Sequence, residues 1–337
     1  MKTSISYSLI AAAMACGFAN GQTTAYTTPV GYISQTIAGK VGDSSETYLS
    51  PSLIQATTFA GVGAVASSTP TKITFTSGVP AGLSTSSVLE ISGTGWWSTV
   101  TSSDAVLNTI TVADNFPGTL PANFTVTVRP HTTLFSFLGN NVPGLITFNG
   151  ADPNDEVLIL DPVGQSVGSF AFVSGPDLAD PLYPNGAWFN LLTSSVANDQ
   201  VIEPGTAINV KRIGATALTF VATGTVKTTP TQVDLFPNFN WVGQPLATGG
   251  TLNGMNFQTQ LNPFDGVSPN YDELQYLRAN QTISPFAAAD DGGLTMFDLT
   301  NSAPAPTEPF DQGTGVIIKR IGNPASTITI PGTVVAP

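Results

Sequence analysis

The sequence predicts an all-β protein made of tandem β-sandwich or β-barrel modules with an internal duplication. Three observations support this prediction: a repeated segment, short runs of alternating apolar residues, and clusters of turn residues between those runs. Only 9% of the residues are charged, and stretches with helical periodicity are scarce. Such a pattern favours strands joined by frequent turns.

The internal repeat is the strongest signal. Residues 205–228 match residues 313–336 without a gap, and 11 of the 24 aligned positions are identical. We interpret each copy as a β-hairpin in which alternate residues face the core. Arg212 and Arg320 are expected to pair with carboxylates at the rim of the sheet, with ligand contact as the alternative. The repeat residues that we single out as structural are Gly205, Lys211, Arg212, Gly313, Lys319 and Arg320.

Weaker matches extend the repeat towards the N-terminus, with changing offsets that indicate insertions in loops. They align Phe137 with Trp241, the Asp-Glu pair at 155–156 with that at 272–273, and Trp188 with Met296. The predicted division of the chain is a signal peptide at 1–21, an N-terminal strand and connection at 22–54, a small β-barrel or sandwich at 55–130, a first repeat at 131–229 and a second repeat at 230–337.

The N-terminus has the features of a secretory signal peptide. Lys2 precedes an apolar run at 5–18, and small residues lie before an expected cleavage site after Gly21. A lipoprotein site at Cys16 is the alternative, but the usual Leu three positions earlier is missing. No later stretch is long and apolar enough to predict a transmembrane span. We therefore expect an exported protein that is extracellular, at the cell surface or in the periplasm.

Composition narrows the range of partners. The net charge of −12 disfavours nucleic acid and anionic membranes, while it leaves room for a divalent cation. Cys16 is the only cysteine, so the predicted mature chain has no disulfide. A chain of this length can bury enough apolar surface to fold without one.

Four tryptophans are candidate ligand-binding residues. Adjacent indoles on a strand point to opposite faces, so one of the Trp96-Trp97 pair is expected in the core and the other towards solvent. An exposed indole could form a platform for a sugar or a partner surface, whereas packing at a loop end is the simpler interpretation. The candidates are Trp96, Trp97, Trp188 and Trp241.

Acidic residues suggest a calcium site as a minor interpretation, because hard oxygen ligands grouped on a loop are what Ca²⁺ requires. None of these loops has the spaced acidic pattern of a known calcium loop. Paired acids could also hydrolyse glycosides, but neighbouring acids on a strand point to opposite faces, so turn capping or pairing with Arg212 and Arg320 is favoured. The candidate calcium ligands are Asp152, Asp155, Glu156, Asp290 and Asp291.

The sequence contains no other catalytic pattern. His131 is the single histidine, and we interpret it as a strand-end or interdomain residue rather than part of a catalytic triad. A zinc site needs three or four suitable ligands, and no glycine-rich phosphate loop precedes a helix. We therefore predict that the protein is not an enzyme.

Several motifs resemble those of an uncharacterised family of exported β-rich bacterial proteins, found as paralogous sets in verrucomicrobia. These motifs are Pro-Val-Gly-Tyr at 29–32, Val-Arg-Pro-His-Thr-Thr-Leu at 128–134, Pro-Gly at 204–205 with Val-Lys-Arg at 210–212, and Asn-Trp-Val-Gly-Gln-Pro at 240–245. The second repeat is also similar to β-modules of bacteroidete surface proteins, although Trp241 and Gln244 depart from that pattern. The resemblance implies a secreted or surface location and no particular activity.

Taken together, the sequence predicts an exported, non-enzymatic protein with a structural or adhesive role at the cell surface or envelope. Its partners would be further copies of itself, other envelope proteins or glycans. The alternative is a secreted carbohydrate-binding protein that uses exposed tryptophans. No cofactor is required by either hypothesis, although calcium is possible.

The signal-peptide prediction can be tested on protein recovered from the producing cells. Cleavage after Gly21 gives a mature chain that begins at Gln22. N-terminal sequencing is expected to read Gln-Thr-Thr-Ala. A lipid-modified N-terminal Cys16 would instead establish the lipoprotein alternative.

Overall fold

The fold is all-β, as the sequence predicts. The structure is a computed structural model, and it describes residues 30–66, 69–118, 120–140, 142–267, 269–290 and 295–332. The three helices in these residues have four or five residues each, and every other regular element is a strand. The predicted signal peptide lies outside the described residues.

The described chain begins with three strands and then enters a closed barrel. The first three strands are β1 (Val30–Ile37), β2 (Ser45–Leu49) and β3 (Leu53–Ile54). The barrel strands are β4 (Phe59–Val65), β5 (Lys72–Phe75), β6 (Ser87–Ile91), β7 (Trp97–Asp104), β8 (Thr109–Val112) and β9 (Phe124–Pro130). They close in the order β4-β5-β8-β7-β6-β9 around a core of aliphatic and aromatic side chains.

The segment after the barrel completes the first repeat. Its elements are β10 (Thr132–Thr133), α1 (Leu134–Leu138), β11 (Glu156–Asp161), β12 (Ser166–Val173), α2 (Gly175–Leu178), β13 (Ala187–Asn190), β14 (Ser195–Val196), β15 (Val201–Ile202), β16 (Ile208–Arg212) and β17 (Leu218–Val226).

The second repeat follows immediately. Its elements are β18 (Thr231–Leu235), β19 (Asn238–Gly243), β20 (Gly250–Thr251), α3 (Phe257–Gln260), β21 (Asp272–Leu277), β22 (Ile283–Ala288), β23 (Met296–Asp298), β24 (Ala303–Pro304), β25 (Pro309–Phe310), β26 (Gly315–Arg320) and β27 (Ser326–Ile330).

Both repeats have the same topology. A six-stranded sheet runs β14-β13-β12-β11-β16-β2 in the first and β24-β23-β22-β21-β26-β19 in the second. The pair β1–β17 covers the first sheet, and β18–β27 covers the second. Apolar residues of both layers share one core in each repeat, so each repeat is a two-layer β-sandwich.

The predicted division of the chain needs one correction. Strands β1 and β2, which lie in the segment predicted as a separate N-terminal connection at 22–54, pair with β17 and β16 of the first repeat. Strand β3 also pairs with β17, so the barrel is an insertion between β3 and β10 of the first sandwich. In the second sandwich, the equivalent first strand is β18, which pairs with β27. Pairing between strands so distant in sequence leaves no trace in local periodicity.

The predicted hairpin in each repeat is wrong. Strands β16 and β17 do not pair with each other: β16 lies between β11 and β2, whereas β17 lies in the covering layer beside β1. Strands β26 and β27 are separated in the same way. The turn thus carries the chain from one layer of the sandwich to the other.

Strand registers also correct one alignment between the repeats. Trp241 lies opposite Ile317 in the second sandwich, and Tyr48 lies opposite Asn209 at the same place in the first. Tyr48, and not Phe137, is therefore the counterpart of Trp241. Phe137 belongs to α1 and packs in the first core. The alignments of 155–156 with 272–273 and of Trp188 with Met296 agree with the registers.

The two sandwiches contact each other through equivalent residues, which gives the interface an approximate twofold symmetry. The Ser50 N–H donates to the Gly313 carbonyl at 2.8 Å, and the Gly243 N–H donates to the Gly205 carbonyl at 2.9 Å. Ser50 and Gly243 occupy equivalent positions, as do Gly313 and Gly205. Such reciprocal pairing is what a self-complementary contact between two related units produces.

Two further contacts follow the same symmetry. The Gln281 side chain bonds both backbone polar groups of Glu46, and the Gln165 side chain bonds both backbone groups of Phe239. Near the centre, the rings of Tyr48 and Trp241 meet edge to face, with centroids 5.3 Å apart. The interface therefore joins hydrogen bonds at its periphery to aromatic packing at its middle.

Gly205 and Gly313 are expected to be intolerant of a side chain. Both have positive φ angles, and an added Cβ would overlap Val233 or Gln35 of the opposite sandwich. Gly205→Ala and Gly313→Ala should each lower the free energy of unfolding by about 2–4 kcal/mol, from backbone strain plus overpacking.

Gly82→Ala is the matched control, because Gly82 has a positive φ angle of 77° and open space around it. It should lose only about 1 kcal/mol. Denaturant unfolding of the three variants measures the difference. Equal losses for all three would show that the close approach of the sandwiches does not matter.

Candidate functional site

The four candidate tryptophans lie in packing positions. Trp96 is 8% exposed in the barrel core, and Trp188 is 1% exposed in the first sandwich. For these two residues the expectation of an exposed platform is wrong, because both indoles fill a core. Trp97 and Trp241 are half-buried, and each contacts a neighbouring unit. The Trp97 indole N–H of the barrel donates to the Gln232 carbonyl of the second sandwich at 2.9 Å, and Trp241 of the second sandwich packs on Tyr48 of the first.

The repeated arginines pair with carboxylates, as the sequence predicts, but the pairs are buried and do not lie at an exposed rim of the sheet. In the first sandwich Arg212 Nη1 lies 2.5 Å from Asp155 Oδ2, and in the second Arg320 Nε lies 3.2 Å from Asp272 Oδ1. All four side chains are almost completely buried. Each pair ties the end of β16 or β26 to the start of β11 or β21, so its role is structural.

The repeated lysines lie beside glutamates on neighbouring strands. Lys211 is opposite Glu156 on one side and Glu46 on the other, while Lys319 is opposite Glu273. Opposite charges at such cross-strand positions stabilise a sheet weakly.

The candidate calcium ligands are dispersed in the structure. Asp155 is engaged by Arg212, Glu156 accepts a hydrogen bond from the Ser169 hydroxyl, and Asp152 accepts one from the Asn149 amide. Asp290 lies at the end of β22, and Asp291 lies outside the described residues. Over the described ranges, no group of three or more His, Cys, Asp or Glu residues is arranged to hold a metal ion.

A buried charge network joins the barrel to both sandwiches, and sequence reasoning missed it. Glu90 of β6 accepts from Arg129 at 2.6 Å and from Lys227, which follows β17 and leads towards the second repeat. The Thr229 hydroxyl also donates to Glu90, at 2.5 Å. Burial alone would raise the pKa of Glu90, but the charges of Lys227 and Arg129 hold it below the ordinary value. Burial lowers the pKa of Lys227 to about 8, against the effect of Glu90.

His131 lies at the same junction, in agreement with its interpretation as an interdomain residue. Its Nε2 is 3.1 Å from the Thr99 hydroxyl, and its Nδ1 is buried with no hydrogen-bond partner. Burial and the positive charge of Arg129 lower the pKa of His131 to about 4. A small cavity of about 20 Å³, large enough for one water molecule, lies beside His131, Arg129 and Lys227.

Two larger concave sites lie where a ligand could enter. One is a cleft of about 580 Å³ between the sandwiches, lined by Tyr48, Glu46, Tyr276, Arg278 and Asp311. The other is a cavity of about 400 Å³ at one end of the first sandwich, here called its mouth, and it is lined by residues in and around β11, β12, β13 and β15. Its floor is formed by Ile159 and Phe170. Both sites are of the size that a side chain or a small ligand needs.

The chain matches no family model, no curated protein and no solved structure. No helix in the described parts of the chain has the length and apolar character needed to cross a membrane.

Removing one partner of a buried ion pair should be costly. Asp272→Ala leaves the Arg320 guanidinium buried without its carboxylate and should lower the free energy of unfolding by about 3–5 kcal/mol. Glu308→Ala is the control, because the Arg278–Glu308 pair is partly exposed, at 33% and 17%, and should lose about 1 kcal/mol. Chemical denaturation compares the two, and a similar loss in both would contradict a special role for buried pairing.

His131 should make stability depend on pH. The unfolded imidazole takes up a proton as the pH falls through 6.5, whereas the folded one does so only near pH 4. Protonation therefore favours the unfolded chain, and the free energy of unfolding should drop by roughly 3 kcal/mol between these values. His131→Gln removes this contribution. Unfolding measured from pH 7 to pH 4 should diverge for the two proteins, whereas parallel curves would show that His131 titrates normally.

Proposed function

We propose that the protein is an exported, non-enzymatic structural or adhesive component of the cell surface or envelope. The observation that carries this proposal is the free edge of β1. This strand pairs with β17 over eight consecutive residues without a bulge, and within the described residues no strand pairs with its other side. Exposed, regular strand edges recruit further strands.

β1 lacks the features that usually protect an edge. It contains no charged residue and no proline, and it carries two of the most exposed apolar side chains, Val30 at 80% and Tyr32 at 78%. The equivalent edge in the second sandwich is occupied: the Gln232 N–H donates to the Gly95 carbonyl of the barrel, and the Trp97 indole bonds the Gln232 carbonyl. The duplicated edge is thus covered in one repeat and open in the other.

Export is supported by the predicted signal peptide and by the low charge content. The buried ion pairs and the reciprocal interface give a rigid scaffold of three connected units, which suits a load-bearing or displaying role. The alternative of glycan binding on exposed tryptophans is not favoured, because Trp96 and Trp188 are core residues and Trp97 and Trp241 join units.

The proposal is tested by cell fractionation with an antibody to the mature chain, together with sedimentation of the purified protein. We expect surface or envelope location and concentration-dependent association. Tyr32→Lys places a charge on the β1 edge and should shift the protein to monomers. Val106→Lys is the matched control, since Val106 is 90% exposed in the turn between β7 and β8 of the barrel, outside the strands. It should leave association unchanged.

A monomer at every concentration, or equal behaviour of the two lysine variants, would contradict assembly through β1. Turnover of a polysaccharide or peptide by the purified chain would overturn the non-enzymatic part of the proposal.

A further inference from the structure

The mouth of the first sandwich contains an open cavity with an apolar floor and an acidic rim. Ile159 and Phe170 form the floor, and Asp161, Gln200 and Glu203 lie around the opening. The volume is about 400 Å³, which is enough for a side chain or a small ligand to enter.

In the second sandwich the side chain of Arg278 covers the equivalent residues, and its outer side lines the cleft of about 580 Å³ between the sandwiches. Its guanidinium carbon lies 4.8 Å from the centre of the Tyr276 ring and 5.8 Å from that of Phe286. Its Nε donates to the Ser284 hydroxyl at 2.9 Å, and its Nη1 donates to Glu308 at 2.6 Å. At this position the second sandwich therefore carries its own cation, which is stacked on aromatic rings and paired with an acid.

Strand registers establish which residues of the first sandwich correspond. Ile159 lies opposite Gly168 as Tyr276 lies opposite Ser284. Phe170 lies opposite Val157 as Phe286 lies opposite Leu274. Gln200 immediately precedes β15 as Glu308 immediately precedes β25. All four residues that Arg278 contacts thus have counterparts that line the cavity: Ile159, Phe170, Gly168 and Gln200.

Two replacements leave the space open in the first sandwich. Asp161 stands at the position of Arg278, and its Oδ1 is held in the local turn by the N–H groups of Val163 and Gly164. Gly168 stands at the position of Ser284, and a side chain there would lie against the Phe170 ring. The cavity is consequently the space of an arginine side chain that this repeat does not supply.

The charge around the cavity favours a cation. Desolvation, followed by the negative charges of Asp234, Asp114 and Asp161, raises the pKa of Glu203, although the residue remains exposed. None of the ion pairs in the described part of the chain involves any of these four acids. The opening therefore has a negative potential that an anionic ligand would not tolerate.

We propose that the mouth of the first sandwich binds a guanidinium group supplied by another molecule, in the place that Arg278 occupies in the second sandwich. The chain cannot supply the group from a second copy of itself. Its four arginines, Arg129, Arg212, Arg278 and Arg320, are all engaged in ion pairs. The site is separate from the β1 edge, so it stands whether or not the protein assembles.

Calorimetric titration of the purified mature chain with N-acetyl-arginine amide tests the proposal. One site per chain is expected, and the neutral citrulline analogue should bind about ten-fold more weakly or not at all, because it lacks the charge. An extended peptide with a central arginine distinguishes the source of the group. Tighter binding of the peptide points to a protein partner, and equal binding points to a small guanidinium compound. Equal binding of the arginine and citrulline compounds, or no binding of either, overturns the proposal.

Three variants locate the site. Asp161→Arg supplies the missing side chain and should abolish binding. Gln200→Glu provides the counterpart of Glu308 and should tighten binding about five-fold to ten-fold through a charged hydrogen bond. Arg278→Ala removes the arginine side chain at the equivalent position of the second sandwich and should raise the stoichiometry from one site to two. If Asp161→Arg does not fold, the affinity of Gln200→Glu for N-acetyl-arginine amide is the test. An unchanged affinity in that variant overturns the proposal.

Discussion

The reciprocal contact between the two sandwiches is the constraint on which the rest of the architecture depends. At each end of the interface a glycine with positive φ presents its carbonyl to the edge strand of the other repeat. Both glycines meet the same two requirements, a positive φ angle and a close approach of a side chain from the opposite repeat. This explains why Gly205-Thr206 and Gly313-Thr314 are identical, whereas much of the surrounding sequence has diverged.

The barrel is attached to this pair of sandwiches by polar interactions rather than by a shared apolar core. Glu90 is placed between two cations from different parts of the chain, and each of the three units has its own apolar cluster. A buried carboxylate with two partners tolerates little displacement, since any separation leaves a charge unpaired in a medium of low dielectric. The network thus fixes the orientation of the barrel more than it adds stability.

The sequence predicted the fold class, the duplication and the pairing of Arg212 and Arg320 with carboxylates, because all three follow from local patterns or from repeated residues. It did not predict that these pairs are buried. It did not predict that β1 and β2 belong to the first sandwich, since that pairing joins residues separated by the whole barrel. The alignment of Trp241 with Phe137 failed for the same reason: the true counterpart, Tyr48, lies before the inserted barrel. The sequence also did not predict the cavity at the mouth of the first sandwich. The cavity results from differences between the repeats at positions that can be aligned only from the strand registers.

The insertion of the barrel has a consequence for how the chain folds. Every strand pairing inside the barrel joins residues between 59 and 130. In the first sandwich, by contrast, Val30 of β1 pairs with the much more distant residue Thr225. The first and last barrel strands are hydrogen-bonded to each other, so a folded barrel brings its entry and exit together and shortens the loop that separates β2 from the rest of its sandwich. During synthesis, β1 and β2 emerge before the barrel, and their partners β16 and β17 emerge after it. The uncharged strand β1 therefore stays unpaired until the chain has been made beyond β17, and early closure of the barrel shortens the search that follows.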